Sequence, residues 1–120
     1  MKIVKKPIQE VTIDATGKRF GRLATKVAFL LQGKNMPAYR PHNPVYARIL
    51  VTNIDKMDME LSHLRNKAHY HSTMRPGGLK TSDFNRRFSA DAHKTFRATV
   101  YGMLPKNKLR KLFIKNLHIT

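Results

Sequence analysis

Residues Asp14 to Lys26, DATGKRFGRLATK, gather a carboxylate, two glycines four positions apart, and the cations Lys18, Arg19, Arg22 and Lys26. A glycine turn that opens a helix leaves backbone N–H donors free, and cations beside them complete an anion site. The anion is either one nucleotide or the phosphates of a polymer. A P-loop places four residues between its glycines and follows the second with lysine and a hydroxyl. Here three residues separate Gly17 from Gly21, and Arg22 follows. The dinucleotide fingerprint needs a third glycine and an acid about twenty positions on, yet no acid lies between Asp14 and Asp55. Both mononucleotide templates fail, and the polymer becomes the better reading.

Two further segments interleave rings with cations. Tyr39, Arg40, His42 and Tyr46 form the first; His69, Tyr70, His71 and Arg75 form the second. Lys34 stands beside the first and Lys80 ends the second. Aromatic and imidazole rings stack on unpaired bases while cations hold the backbone, the pattern of single-stranded regions in folded RNA. His63, His69 and His71 raise a metal reading, but with no cysteine and no acid close by they do not complete a four-ligand set. Asp14 and Asp55 are the two acids at strand ends where α/β active sites gather, and a lone aspartate there more often caps a turn. No serine sits in a nucleophile elbow, so catalysis is the weaker reading. Neither a zinc finger nor a basic zipper is present.

Charge agrees with a polyanionic partner. Lys and Arg number 24 against 7 Asp and Glu, a net charge of +17. Residues 1–60 carry 11 basic and 5 acidic side chains and residues 61–120 carry 13 and 2, so the second half should hold more of the contact surface. The longest run free of charged residues, Ala98 to Pro105, is eight residues, against the roughly 17 to 25 that span a bilayer. The basic start MKIVKKPIQEV has no apolar core of a secretory signal. The absence of cysteine fits a reducing compartment.

The elements that must position these residues read as one domain, residues 10–120, behind a basic arm at residues 1–9. Val11, Ile13 and Ala15 alternate as in a strand. Leu23, Val27, Leu30 and Leu31 line one helix face, with Gly33 as its stop. If helical geometry begins near residue 18, Lys18, Arg22 and Lys26 stack on one face. Ala47 to Asn53 contains the run Ile49-Leu50-Val51, expected of a strand covered on both faces. Strand, helix and buried strand suggest a right-handed βαβ unit in a parallel sheet. His69 to Lys80 reads as a loop around Pro76-Gly77-Gly78. Ser82 is the expected cap of a helix through Phe88, and Ser89 that of a helix with Ala92, Phe96, Val100 and Met103 inward. In PKNKLRKLFIKN, Leu109, Leu112 and Phe113 form an apolar face, leaving Lys106, Lys108, Arg110, Lys111 and Lys115 outward. LHIT ends the chain as an edge strand.

Three segments together, IDATGKRFGRLATKVAFLLQGK, PGGLK with the Tyr70 region, and VYGMLPKNKLRKLFIKNL, resemble the bacterial form of the universal large-subunit ribosomal protein thirteen family. The resemblance covers about residues 10–119. It implies an α/β fold of three α/β/α layers around a four-stranded, mainly parallel sheet. It further implies a cytoplasmic scaffold, without catalysis or cofactor, that binds large-subunit ribosomal RNA beside other ribosomal proteins, away from membranes and not as a free homo-oligomer. The chain differs from the family where ELSH (Glu60–His63) replaces T-G-K-K, where Arg110-Lys111 replaces G-R, and where HYHSTMR replaces YYRHSGY. It reads no family-type tail after Thr120. A small nucleotide-dependent enzyme and a nonspecific nucleic-acid binder remain the alternative readings.

Overall fold

Alternation of Val11 and Ile13 with Glu10, Thr12 and Asp14 makes strand β1, Gln9–Asp14. In this computed structural model, which describes residues 9–42, 47–59 and 66–120, the chain then turns through Gly17 (φ 67°) into helix α1, Phe20–Leu31. The helix begins two residues later than expected, because Arg19 is extended and serves as the N-cap. Its buried side is Phe20, Leu23, Ala24, Val27, Ala28 and Leu31. Gly33 ends it as expected: with φ 72° it donates to Leu30 O at 2.9 Å, and Lys34 N–H reaches Phe29 O at 3.4 Å, the paired bonds of a Schellman stop.

Strand β2, Ala47–Thr52, runs parallel to β1, and a single 3₁₀ turn, Ile54–Lys56, follows it. Strands β3, Ala68–Ser72, and β4, Leu79–Asp83, form an antiparallel hairpin apart from the main sheet. Helices α2, Phe84–Ala90, α3, Ala92–Met103, and α4, Arg110–Lys115, lead to strand β5, Leu117–Ile119. β5 pairs parallel with β2, so the order is β1-β2-β5 with β2 central. The architecture is mixed α/β. Among the described residues, the expected four-stranded sheet takes the form of three parallel strands and a separate two-stranded hairpin.

Register explains which face is covered. Val11, Ile49 and Leu117 make one cross-strand row, and Ile13, Val51 and Ile119 the next. Both rows enter one apolar cluster with Phe20 of α1, Phe84 of α2, Phe96 and Val100 of α3, and Phe113 of α4. Phe20 is its aromatic hub, meeting the rings of Phe84, Phe88 and Phe96 edge-on at centroid distances of 5.0, 5.9 and 5.5 Å. The reverse face carries Glu10 opposite Arg48 and Thr12 opposite Leu50 and His118. Glu10, Thr12, Arg48 and His118 are exposed and Leu50 is half-buried. The expectation of helices on both faces, and hence of three layers, does not hold for the described residues: Leu50 is the apolar member of a polar row.

Three further expectations are corrected. His69 to Lys80 is not all loop; Pro76-Gly77-Gly78 makes only its turn, where Thr73 N–H donates to Gly78 O at 2.9 Å. A Cβ on Gly78 would collide with Thr73 Oγ1 and crowd the Arg75 carbonyl at 2.9 Å, so the turn would have to shift to admit a side chain there. Ser82 lies within β4 and Asp83 precedes α2; Ser89 is inside α2, and α3 is capped instead by Asp91, which accepts from Lys94 N–H at 2.9 Å. Leu112 is 40% exposed, and Ile114 packs with Leu109 and Phe113 in its place.

Candidate nucleic-acid interface

The glycine turn is assembled from two sides. Asp14 Oδ1 accepts from Thr16 N–H at 3.0 Å, from Thr16 Oγ1 at 2.8 Å and from Asn53 Nδ2 at 3.2 Å. These bonds hold its carboxyl down to about pKa 2, Thr16 contributing most, and they spend the aspartate as a turn cap. Gly17 N–H donates to Lys56 O at 3.0 Å, and Lys18 O accepts from Asp58 N–H at 3.1 Å, so the segment after β2 braces the turn. The side chains of Lys18, Arg19, Arg22 and Lys26 then line one shallow depression with Leu23. All four cations are exposed, and none forms a salt bridge among the described residues. No described side chain caps the start of α1, and Arg19 there forms a β-bridge with Asp58 of the segment after β2.

A second group forms where α1 ends. Lys34, Tyr39 and Arg40, distant in sequence from the GMLP turn, share a recess with Pro105, Asn107 and buried Phe113. His42 is exposed in the adjoining turn. Tyr46 and His63 lie outside the described residues.

The hairpin carries the third group. Strand alternation sets His69 opposite Ser82 and His71 opposite Lys80 on one face, with Tyr70 opposite Thr81 on the other. Tyr70 is 69% exposed and Met74, at the tip beside Arg75, is 92% exposed. Partial burial, then the charges of Arg87 and Lys67, push the His69 pKa below its usual value. A neutral ring at that position accepts hydrogen bonds and stacks better than it pairs with phosphate.

Around α4, Lys106, Lys108, Lys111 and Lys115 are exposed, but Arg110 is half-buried. Its guanidinium lies 3.8 Å above the Tyr101 ring, and its Nε donates to Tyr101 O at 2.7 Å, which ties α4 to α3. Arg110 therefore has a packing task that spacing alone did not reveal. Sequence reasoning also missed His93, Lys94, Arg97 and His118, which meet in one polar depression with Asp91. The first three sit on the outer face of α3, opposite the apolar stripe that drew attention. Among the described residues, no group of three or more histidines and acids is arranged to hold a metal ion.

Cations at the glycine turn and the α1 terminus, and rings at the α1 terminus and on the hairpin, define a basic α/β protein suited to meet a polyanion. The profile of the ribosomal protein L13 family matches residues 8–119. Large ribosomal subunit protein uL13 of Spiroplasma citri is 38% identical over 107 residues, covering 89% of this chain and 73% of its own. Its counterpart in Bifidobacterium adolescentis is 38% identical over 89% of this chain and 71% of its own, and that of Caldicellulosiruptor saccharolyticus 36% identical over 94% and 80%. The chain belongs to the ribosomal protein L13 family, whose members are structural, non-enzymatic constituents of the ribosome.

Proposed function

We propose that the protein is a structural constituent of the large ribosomal subunit that binds and organises large-subunit ribosomal RNA during assembly, beside neighbouring ribosomal proteins in the cytoplasmic ribosome. The observation that carries this reading is the convergence of Lys18, Arg19, Arg22 and Lys26 on one depression at the uncapped start of α1. These residues grip backbone phosphates. The hairpin residues His69, Tyr70, His71, Arg75 and Lys80 reach outward to unpaired nucleotides, and Lys106, Lys108, Lys111 and Lys115 add phosphate contacts, Arg110 doing so only with the edge that Tyr101 leaves free. The open depressions and the spent Asp14 carboxylate favour this reading over a nucleotide enzyme. Co-sedimentation of the chain with large subunits through a high-salt wash is the test. Release of all protein at salt that leaves other subunit proteins bound would overturn it.

A further inference from the structure

The recess between the end of α1 and the GMLP turn has a feature that phosphate binding does not use. Gln32, the residue that caps α1, is only 8% exposed. Its side-chain amide has no hydrogen-bond partner among the described residues, yet none of their buried polar side-chain atoms is orphaned. The amide therefore still reaches solvent, and Gln32 is one of the residues that line the recess. An amide left without a protein partner but reachable by solvent is free to pair with a ligand. Asn107 lines the same recess; its Oδ1 accepts from Leu109 N–H at 3.1 Å, which leaves its Nδ2 to donate.

The walls mix rings and prolines with polar side chains. Phe113, 4% exposed, and the half-buried Tyr39 supply rings, and Pro41 and Pro105 supply rigid edges. The volume is about 160 Å³. That is close to the roughly 150 Å³ that admits a benzene-sized ring and well under the about 300 to 1,000 Å³ of drug-sized sites. Exposed Lys34 and Arg40 stand at the mouth.

We propose that this recess receives a single unpaired nucleobase, an adenine, from the bound RNA. The Gln32 amide offers a donor and an acceptor in one plane, the complement of adenine N7 and N6–H₂. The half-buried Tyr39 supplies the stacking ring above the floor that Phe113 makes, while Lys34 and Arg40 take the flanking phosphates. The site thus adds hydrogen-bonded base recognition to the phosphate contacts and the stacking rings of the hairpin. The proposal rests on the RNA-binding reading but is separable from it.

The test compares binding of the full chain to three RNA hexamers, hexaadenylate, hexauridylate and an abasic hexamer, by fluorescence anisotropy at one salt concentration. Hexaadenylate should bind at least about tenfold tighter than the abasic hexamer, as expected for one stacked and paired base. Gln32→Leu breaks no hydrogen bond among the described residues, so it should fold with an unchanged or higher thermal midpoint. It should lose the preference for adenine over uracil and keep its affinity for the abasic hexamer. Independently of any variant, the Gln32 side-chain amide resonances of the parent should shift on addition of hexaadenylate and not of the abasic hexamer. Equal affinity for hexaadenylate and the abasic hexamer, or still amide resonances, overturns the base site while leaving the phosphate reading intact. Failure to bind any hexamer or ribosomal RNA overturns both.

Discussion

Replacing Lys18, Arg19 and Arg22 together by alanine should strip salt-sensitive affinity from the protein without unfolding it. Abolishing one phosphate contact lowers the slope of log affinity against log salt by about 0.7 to 0.9, so abolishing three lowers it by roughly 2 to 3. Between about 50 and 200 mM salt the parent should therefore lose about 30-fold more affinity than the variant. The fold should tolerate the change because the helix is held by Leu23, Ala24, Val27, Ala28 and Leu31, all buried. The turn is fixed by main-chain bonds: Lys18 N–H to Ala15 O at 3.0 Å and Asp58 N–H to Lys18 O at 3.1 Å. Filter binding to a large-subunit ribosomal RNA fragment across a salt series, with circular dichroism as the folding control, reads both effects. A folded variant with the parent's affinity and slope would refute the phosphate grip. Weaker binding with an unchanged slope would show that the cations act through shape and not through counterion release.

Phe96→Ala should cost about 3 to 5 kcal/mol in urea unfolding, because its fully buried ring meets Phe20 at 5.5 Å; a cost below about 1 kcal/mol would mean that the core around Phe20 closes over the cavity. Asp14→Ala should be less stable than the parent at neutral pH, and that gap should close in acid: the folded pKa is lowered from 3.8 to about 2, so the stabilisation is complete above the unfolded value and lost as pH falls through that window. A gap of equal size at pH 6 and below about pH 2 would assign the loss to something other than the carboxylate. Hydrogen exchange should separate the β3–β4 hairpin from the sheet, with amides of Tyr70 and His71 exchanging well before those of Ile49 and Val51, since an isolated two-stranded hairpin is marginal; matched protection would make them one cooperative unit.

Periodicity made α1 and the pairing of its neighbours legible: Leu23 and Val27 point inward as their spacing requires, and Gly33 stops the helix where a positive φ is needed. The apolar run at Ile49-Leu50-Val51 located the central strand but misjudged its surroundings. Whether Leu50 is covered depends on Thr12 and His118 across the ladder, and register is not written in any one strand. The hairpin was hidden because AHYHS has no β-branched residue and Pro-Gly-Gly dominates its reading. Ser89 and Asp91 are both capping types, and the choice fell to Asp91 because α2 continues through Ala90. The cations of the glycine turn line one depression, with Lys18 and Arg19 reaching it from the turn rather than from the helix. The recess around Gln32 was not foreseeable, since it joins residues more than sixty positions apart that only the packing of Phe113 brings together.

Both outer strands of the sheet owe their ladders to β2: Val11 pairs with Ile49, and Ile49 with Leu117. Neither β1 nor β5 has another partner strand among the described residues, so neither can stay paired while β2 is out of place. Closing such remote segments is slow, whereas β3 and β4 meet across a short turn within microseconds. The glycine turn is braced by Lys56 and Asp58, just beyond β2. Its cations are therefore gathered only when the long loops close. The hairpin can form fleetingly before the core exists, but the grip at α1 is assembled only once β2 has docked beside β1, and a chain without that pairing has nothing there with which to hold on.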